Sequence, residues 1–288
     1  MANGEWGFFE VALTSFCVLT LGAYWVAAYR LSSSGRRWPW WRTLCFTLGA
    51  STLIISLLPA VVSFAHHDLR GHMAQHLLIG MFAPLGLVFG APVSLTLRSS
   101  PAGFSRWLVR FLQKPFVRII SHPVSALFLN IGGMYLLYLT PLYAQMLHST
   151  ILHALVHWHF LMAGCLFTWA IAGPDPAPHR PGAVFRLVTV FVSMATHAFL
   201  AKVMYAYGFP EGTSSSAQEI KNAAKIMYYG GDLAELFLVI ALLLTGFCHQ
   251  RKSDATLPGN SVTPDGGVSF VQQPNEFLTR CVRSSSNS

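Results

Sequence analysis

AHHDLRGHMAQHLLIGMFAPLGLVFGAPVSLTL, residues 65–97, passes from a histidine-bearing polar lip into an apolar run over 74–97. About 20 such residues suffice to cross a bilayer as a helix. On a helix His72 and His76 stand i, i+4 and share one face. The fold therefore turns on whether this run is one of many. Comparable runs recur at 9–29, 44–64, 124–143, 153–172, 185–205 and 229–248. The chain is 53% hydrophobic and 10% charged, against roughly 25% charged in soluble domains. Seven runs with short connections predict a single all-α integral membrane bundle of seven transmembrane helices, about residues 1–250. Helices are required because hydrocarbon offers nothing to satisfy open backbone groups.

A net charge of +8 raises nucleic acid as a partner, but its distribution argues against one. Arg30, Arg36, Arg37 and Arg42 follow the first run, and Arg98, Arg106, Arg110, Lys114 and Arg118 follow the third. Arg180 and Arg186 lie between the fifth and sixth, with Arg251 and Lys252 after the seventh. Alternate connections carry few bases, partly offset by Asp68, Glu211, Glu219 and Asp232. The positive-inside rule then predicts the N-terminus outside, the C-terminus cytoplasmic and the cytoplasmic (inner) membrane as location. MANGEWGFFE lacks the basic segment of a cleavable signal peptide, so the first run is expected to be retained. PAGFSRWLVRFLQKPFVR, 101–118, interleaves aromatic and basic residues like a surface helix on anionic lipid. Residues 251–288 are polar and expected to be a disordered cytoplasmic tail. The five cysteines form no CxxC pair, which removes thioredoxin-like and thiolate-chaperone readings.

This topology gives each histidine a depth. His66, His67, His72, His76, His148, His153 and His157 fall on the external side, and His197 in the outer half of the sixth helix. Asp232 and Glu235 open the seventh. His153 and His157 are again i, i+4, and Asp232 and Glu235 i, i+3. Ionisable groups at such depth face the interior and suggest a functional site. Inward-facing side chains on neighbouring helices are how bundle cores build metal centres. The expected ligands are His72, His76, His153, His157, His197 and Asp232. Imidazole suits copper, zinc and iron. A carboxylate here could ligate, or hold an imidazole tautomer by accepting its other N–H; Asp232 and Glu235 are open to both roles. His66, His67 and His148 sit in loops or at helix ends, where histidine needs no ligand role. His159 points away from the His153–His157 face and is expected to pack. His122, His179 and His249 lie on the cytoplasmic side. Among the methionines, Met73 and Met227 lie nearest the site, although methionine commonly fills core gaps. Gly80, Pro84, Gly86, Gly90 and Pro92 predict close helix approach and a kink.

HMAQHLLIGMFAPLGLVFGAP (72–92), HALVHWHFLMAGCLF (153–167) followed by GPDP, and YYGGDLAE (228–235) together resemble the multi-span CtaG-type cytochrome c oxidase assembly family, over roughly 60–248. The resemblance implies a membrane factor for making haem–copper oxidase, handling copper in contact with oxidase subunits or copper chaperones. It places His72 and His76 in an H-x-x-Q-H element, His153 and His157 in H-x-x-x-H, and Asp232 in the last span. Gln75 belongs to the first element as a group that supports a ligand. Two alternatives compete: a b-type haem protein with axial histidines from two helices, and an enzyme with a dinuclear iron or zinc centre. No HExxH, Ser/His/Asp or phosphate-loop pattern supports an enzyme. A copper transporter is disfavoured by the bare cytoplasmic halves of the third and fifth helices, and a retinal receptor by the lack of a central lysine in the seventh.

Overall fold

The computed structural model describes residues 8–178, 180–213 and 215–254, with side chains from 11 to 245. His179 and the tail from 255 onward lie outside the described residues. Every regular element described is helical: α1 (Phe8–Ser33), α2 (Trp40–Ser56), α3 (Pro59–His67), α4 (Leu69–Leu77), a π-helical turn (Leu78–Phe82), α5 (Ala83–Phe89) and α6 (Pro92–Ser99). They continue with α7 (Ala102–Leu112), α8 (Pro115–Ile120), α9 (Pro123–Leu139), α10 (Leu142–Leu147), α11 (Thr150–Ala172), α12 (Ala183–Tyr207) and α13 (Ala217–Asp254).

Five stretches are long and apolar enough to cross a membrane, and the bent α2–α3 pair makes a sixth. The protein is thus a multi-pass membrane protein with five to six candidate spans. The expected fourth run forms α9, whose 17 residues reach about 25 Å against a hydrocarbon core of about 30 Å. The second run bends by 56° between α2 and α3. Pro59 opens α3, and the preceding Leu58 is extended at ψ 141°, because a residue before proline is excluded from the helical region.

Large apolar side chains face outward as well as inward. Leu19, Phe128 and Phe191 are each at least 70% exposed, which suits contact with lipid tails. Buried inside are His72, Gln75, His76, Asn130, Ser193, His197 and Glu235. One core cluster joins Met73, Met134, Tyr138, Tyr143, Met146, Met204 and Met227 from α4, α9, α10, α12 and α13. A second joins Phe167, Ile171, Val190, Leu238 and Leu242 along α11, α12 and α13.

Small residues set the helix spacing, as expected in membranes. A Cβ on Gly86 would lie 2.5 Å from the Gly49 amide nitrogen and 2.6 Å from the Cys45 carbonyl oxygen, so α2 and α5 meet backbone to backbone. Pro84 has no N–H to give the Gly80 carbonyl, and Gly164 of α11 packs directly against that carbonyl. The π turn occupies this junction, immediately beyond His76.

The GPDP loop has a structural task that its sequence does not announce. The Asp175 carboxylate accepts the Val93 and Ser94 amides at 3.0 and 2.7 Å, capping α6 from 81–82 residues away. Burial pushes the Asp175 carboxyl above its ordinary 3.8, against the pull of these hydrogen bonds and of Arg42. Just before the cap, Ala91 adopts the left-handed conformation (φ 52°), and the Tyr24 hydroxyl donates to the Gly90 carbonyl at 2.7 Å. α1 and the 173–182 loop thereby brace the break between α5 and α6. Outside the bundle, α7 buries none of its residues; Phe104, Trp107 and Phe111 line up with ring centroids 5.5 and 5.8 Å apart. The 101–118 segment is helical as expected, interrupted between Leu112 and Pro115.

Candidate metal centre

The site begins at the corner between α3 and α4. Asp68 accepts the Arg70 amide at 2.8 Å and pairs with the Arg70 guanidinium, which holds its carboxyl below the usual 3.8. Gly71 permits the corner to close, since a Cβ there would sit 2.6 Å from the Phe64 carbonyl oxygen. The fold-back brings His66 of α3 to His153 and His72 of α4 to His157, both in the first turns of α11.

Three imidazoles converge there. One ring nitrogen from each of His72, His153 and His157 lies within 4.8 Å of the others. The His153 and His157 rings stand 4.2 Å apart, and His72 meets His157 edge-on at 6.0 Å. His72 is 2% exposed and His157 9%, while His153 is half-buried and stacks on His66 at 4.8 Å. The His157 Nδ1–H donates to the His153 carbonyl at 2.9 Å. A carbonyl can only accept, so this bond fixes the proton on Nδ1 and leaves the Nε2 lone pair free, a common device for orienting a metal-binding histidine. His72 Nε2 is buried without a hydrogen-bond partner among the described residues. Such an orphaned nitrogen is costly unless something binds it. A buried set of three imidazoles, one with its tautomer fixed, can hold a transition-metal ion and leave a coordination position open.

The other expected ligands lie elsewhere. His76 is buried one turn deeper, with Nε2 3.3 Å from Met134 Sδ and its ring edge-on to Phe160 at 4.4 Å. His197 is fully buried on α12, and its ring packs onto Gly231 of α13, where a Cβ would overlap it. Asp232 is half-buried and outside the three-nitrogen group. Glu235 is 2% exposed and accepts the Ser193 hydroxyl at 2.6 Å, with Oε2 unpartnered among the described residues. Gln75 donates from Nε2 to the Ser56 carbonyl at 2.8 Å, tying α4 to the end of α2.

Several remaining histidines have structural partners. His159 Nε2 donates to the Leu129 carbonyl at 3.0 Å in space that Gly133 leaves open, so it packs α11 on α9 as expected. His122 Nδ1 accepts the Val124 amide at the start of α9, and His67 Nδ1 donates to Ser63 O. Two residues of the site carried no signal in the sequence. Met134 and Tyr138 lie in an apolar run far from any motif, and only their i, i+4 spacing on α9 places them on one face. Tyr138 is fully buried between the rings of His72 (6.3 Å) and His76 (5.9 Å).

The profile of the cytochrome c oxidase caa3 assembly factor family (Caa3_CtaG) matches residues 22–247, and the chain belongs to that family. It is similar to an uncharacterized protein of Mycobacterium bovis, 28% identical over 295 residues, covering 96% of this chain and 44% of that protein. An uncharacterized protein of Mycobacterium tuberculosis shows the same figures. One of Mycobacterium leprae is 32% identical over 196 residues, covering 65% of this chain and 30% of that protein. The chain therefore spans less than half the length of these relatives. No solved structure matches it.

Proposed function

We propose that this protein serves the maturation of a haem–copper cytochrome c oxidase by holding a copper ion between His72, His153 and His157 and passing it to an oxidase subunit or a copper chaperone. The observation that carries this reading is the convergence of three imidazole nitrogens within 4.8 Å in a chain of the oxidase-assembly family. Copper is cargo here, bound by nitrogen donors that suit it. A half-buried His153, with His66 stacked on it, supplies the side from which the ion enters and leaves, while His72 and His157 form the inner wall. The reading takes the site to face the extracytoplasmic side of the inner membrane, with the N-terminus outside, the C-terminus cytoplasmic and α9 as a seventh, short crossing. Asp232 is not among the ion's immediate ligands in this reading, and Gln75 and Glu235 support packing.

The test is a gene deletion in the host, complemented with wild type or with His157→Ala. Deletion should leave oxidase that contains haem but lacks copper, restored by wild type and not by the variant. Oxidase fully loaded with copper in the deletion strain would refute the assembly role. Elemental analysis of purified wild type and of the His72/His153/His157 triple alanine variant tests the ligands directly: equal metal contents would eliminate them.

A further inference from the structure

We propose that His76 and Met134 form a second and softer metal site one helical turn deeper than the three-histidine centre, and that its ligand is monovalent copper. His76 Nε2 and Met134 Sδ are 3.3 Å apart, with His76 3% and Met134 0% exposed. Nitrogen and sulfur donors at about 2.0 and 2.3 Å from a d¹⁰ ion lie roughly 3.3 Å from each other when they subtend about 100°. The pair is therefore already spaced for one ion. A thioether beside an imidazole selects copper in its reduced state over zinc or iron.

His197, on α12, is a further buried imidazole whose nitrogens lack partners: it is 0% exposed, and neither ring nitrogen has a hydrogen-bond partner among the described residues. Gly231 leaves the room its ring occupies. An imidazole buried with both nitrogens unpaired loses hydration on both sides and regains nothing. Coordination by one nitrogen supplies a missing partner. The two sets of donors are also distinct. Tyr138 packs edge-on against both His72 and His76 with its hydroxyl unpartnered among the described residues, and His76 is not in the three-nitrogen group. Three imidazoles near the entrance suit a divalent ion; the imidazole–thioether pair below suits a monovalent one.

This inference rests on the proposed function only in naming copper, and its test treats the layers separately. Purified full-length protein in detergent is titrated anaerobically with copper(I) against a chromogenic chelator, and copper-edge X-ray absorption is recorded on the loaded sample. Wild type should bind one copper(I) equivalent with a sulfur neighbour. Met134→Leu, which conserves volume, should lose that equivalent or weaken it at least tenfold, while keeping the divalent ion of the three-histidine centre. The His72/His153/His157 triple alanine variant should keep the sulfur-bound copper(I) and lose the divalent ion. Absence of sulfur around copper(I) in wild type, a reading that needs no variant, overturns the proposal and leaves an N–H···S hydrogen bond. Unchanged copper(I) binding by Met134→Leu overturns it as well. Full divalent binding by the triple variant counts against the entrance centre alone.

Discussion

Two histidine pairs with the same i, i+4 spacing meet different fates. On α11, an unbroken helix, His153 and His157 both reach one centre, with the backbone carbonyl of the first fixing the proton of the second. On α4 the pair divides: His72 joins that centre and His76 turns to Met134 of α9. Spacing along a helix guarantees a shared face and nothing more. What each ring meets depends on which neighbour lies at that height. Beside α4 these are α11 at one turn and α9 with the π junction at the next.

The largest consequence contrasts a histidine of the undivided pair with the one that turns away. His157→Ala should weaken divalent-metal binding by about 100-fold or more, at or beyond the effect of disturbing a ligand's supporting partner. His76→Ala should leave it unchanged; equilibrium dialysis separates the two. Equal losses would mean that both pairs serve one centre after all. A divalent ion should act through the entrance centre alone. Adding a divalent ion at 100 times its dissociation constant should stabilise the fold by about 2.7 kcal/mol, seen as a rise in melting temperature that chelator reverses. The triple alanine variant should show no rise.

Smaller effects follow from the packing around the two layers. Gly231→Ala forces a methyl group into the His197 ring and should cost about 1–3 kcal/mol, as overpacking does; a melt like that of wild type would mean that His197 can swing aside. Asp175→Ala removes the acceptor of two amides at the start of α6 and should cost about 1 kcal/mol with metal content unaltered. His159→Phe, outside both layers, should cost no more than about 1 kcal/mol and leave every metal measurement as in wild type. Loss of metal in this last variant would show that the α9–α11 contact itself sets the geometry of the centre.

Much of the architecture is legible in one dimension, because bilayer thickness translates directly into run length. All seven apolar runs correspond to helical segments. Three irregularities were less visible. The α2–α3 bend follows from Pro59, but α9's shortness as a span and the π turn at Leu78–Phe82 depend on how neighbours pack. GPDP reads as a loop in the sequence, whereas Asp175 acts as the cap of a helix some 80 positions earlier. In the site, the motifs contained all three histidines of the centre together with His76 and Asp232, and depth added His197; these last three are not in the three-nitrogen group. Depth alone cannot separate them, since ionisable groups on one side of a membrane all look level in a sequence.

Composition and periodicity by themselves determined that this chain is helical, enters a membrane repeatedly, and carries histidine pairs on helix faces near one end. Those properties depend on hydrophobic length and on 3.6 residues per turn, which are local. Only the tertiary structure decided that His72 meets His153 and His157, that His76 meets Met134, and that His197 is enclosed against Gly231. Coordination needs donor atoms a few ångströms apart, and that separation is fixed where glycines and Pro84 allow distant helices to touch.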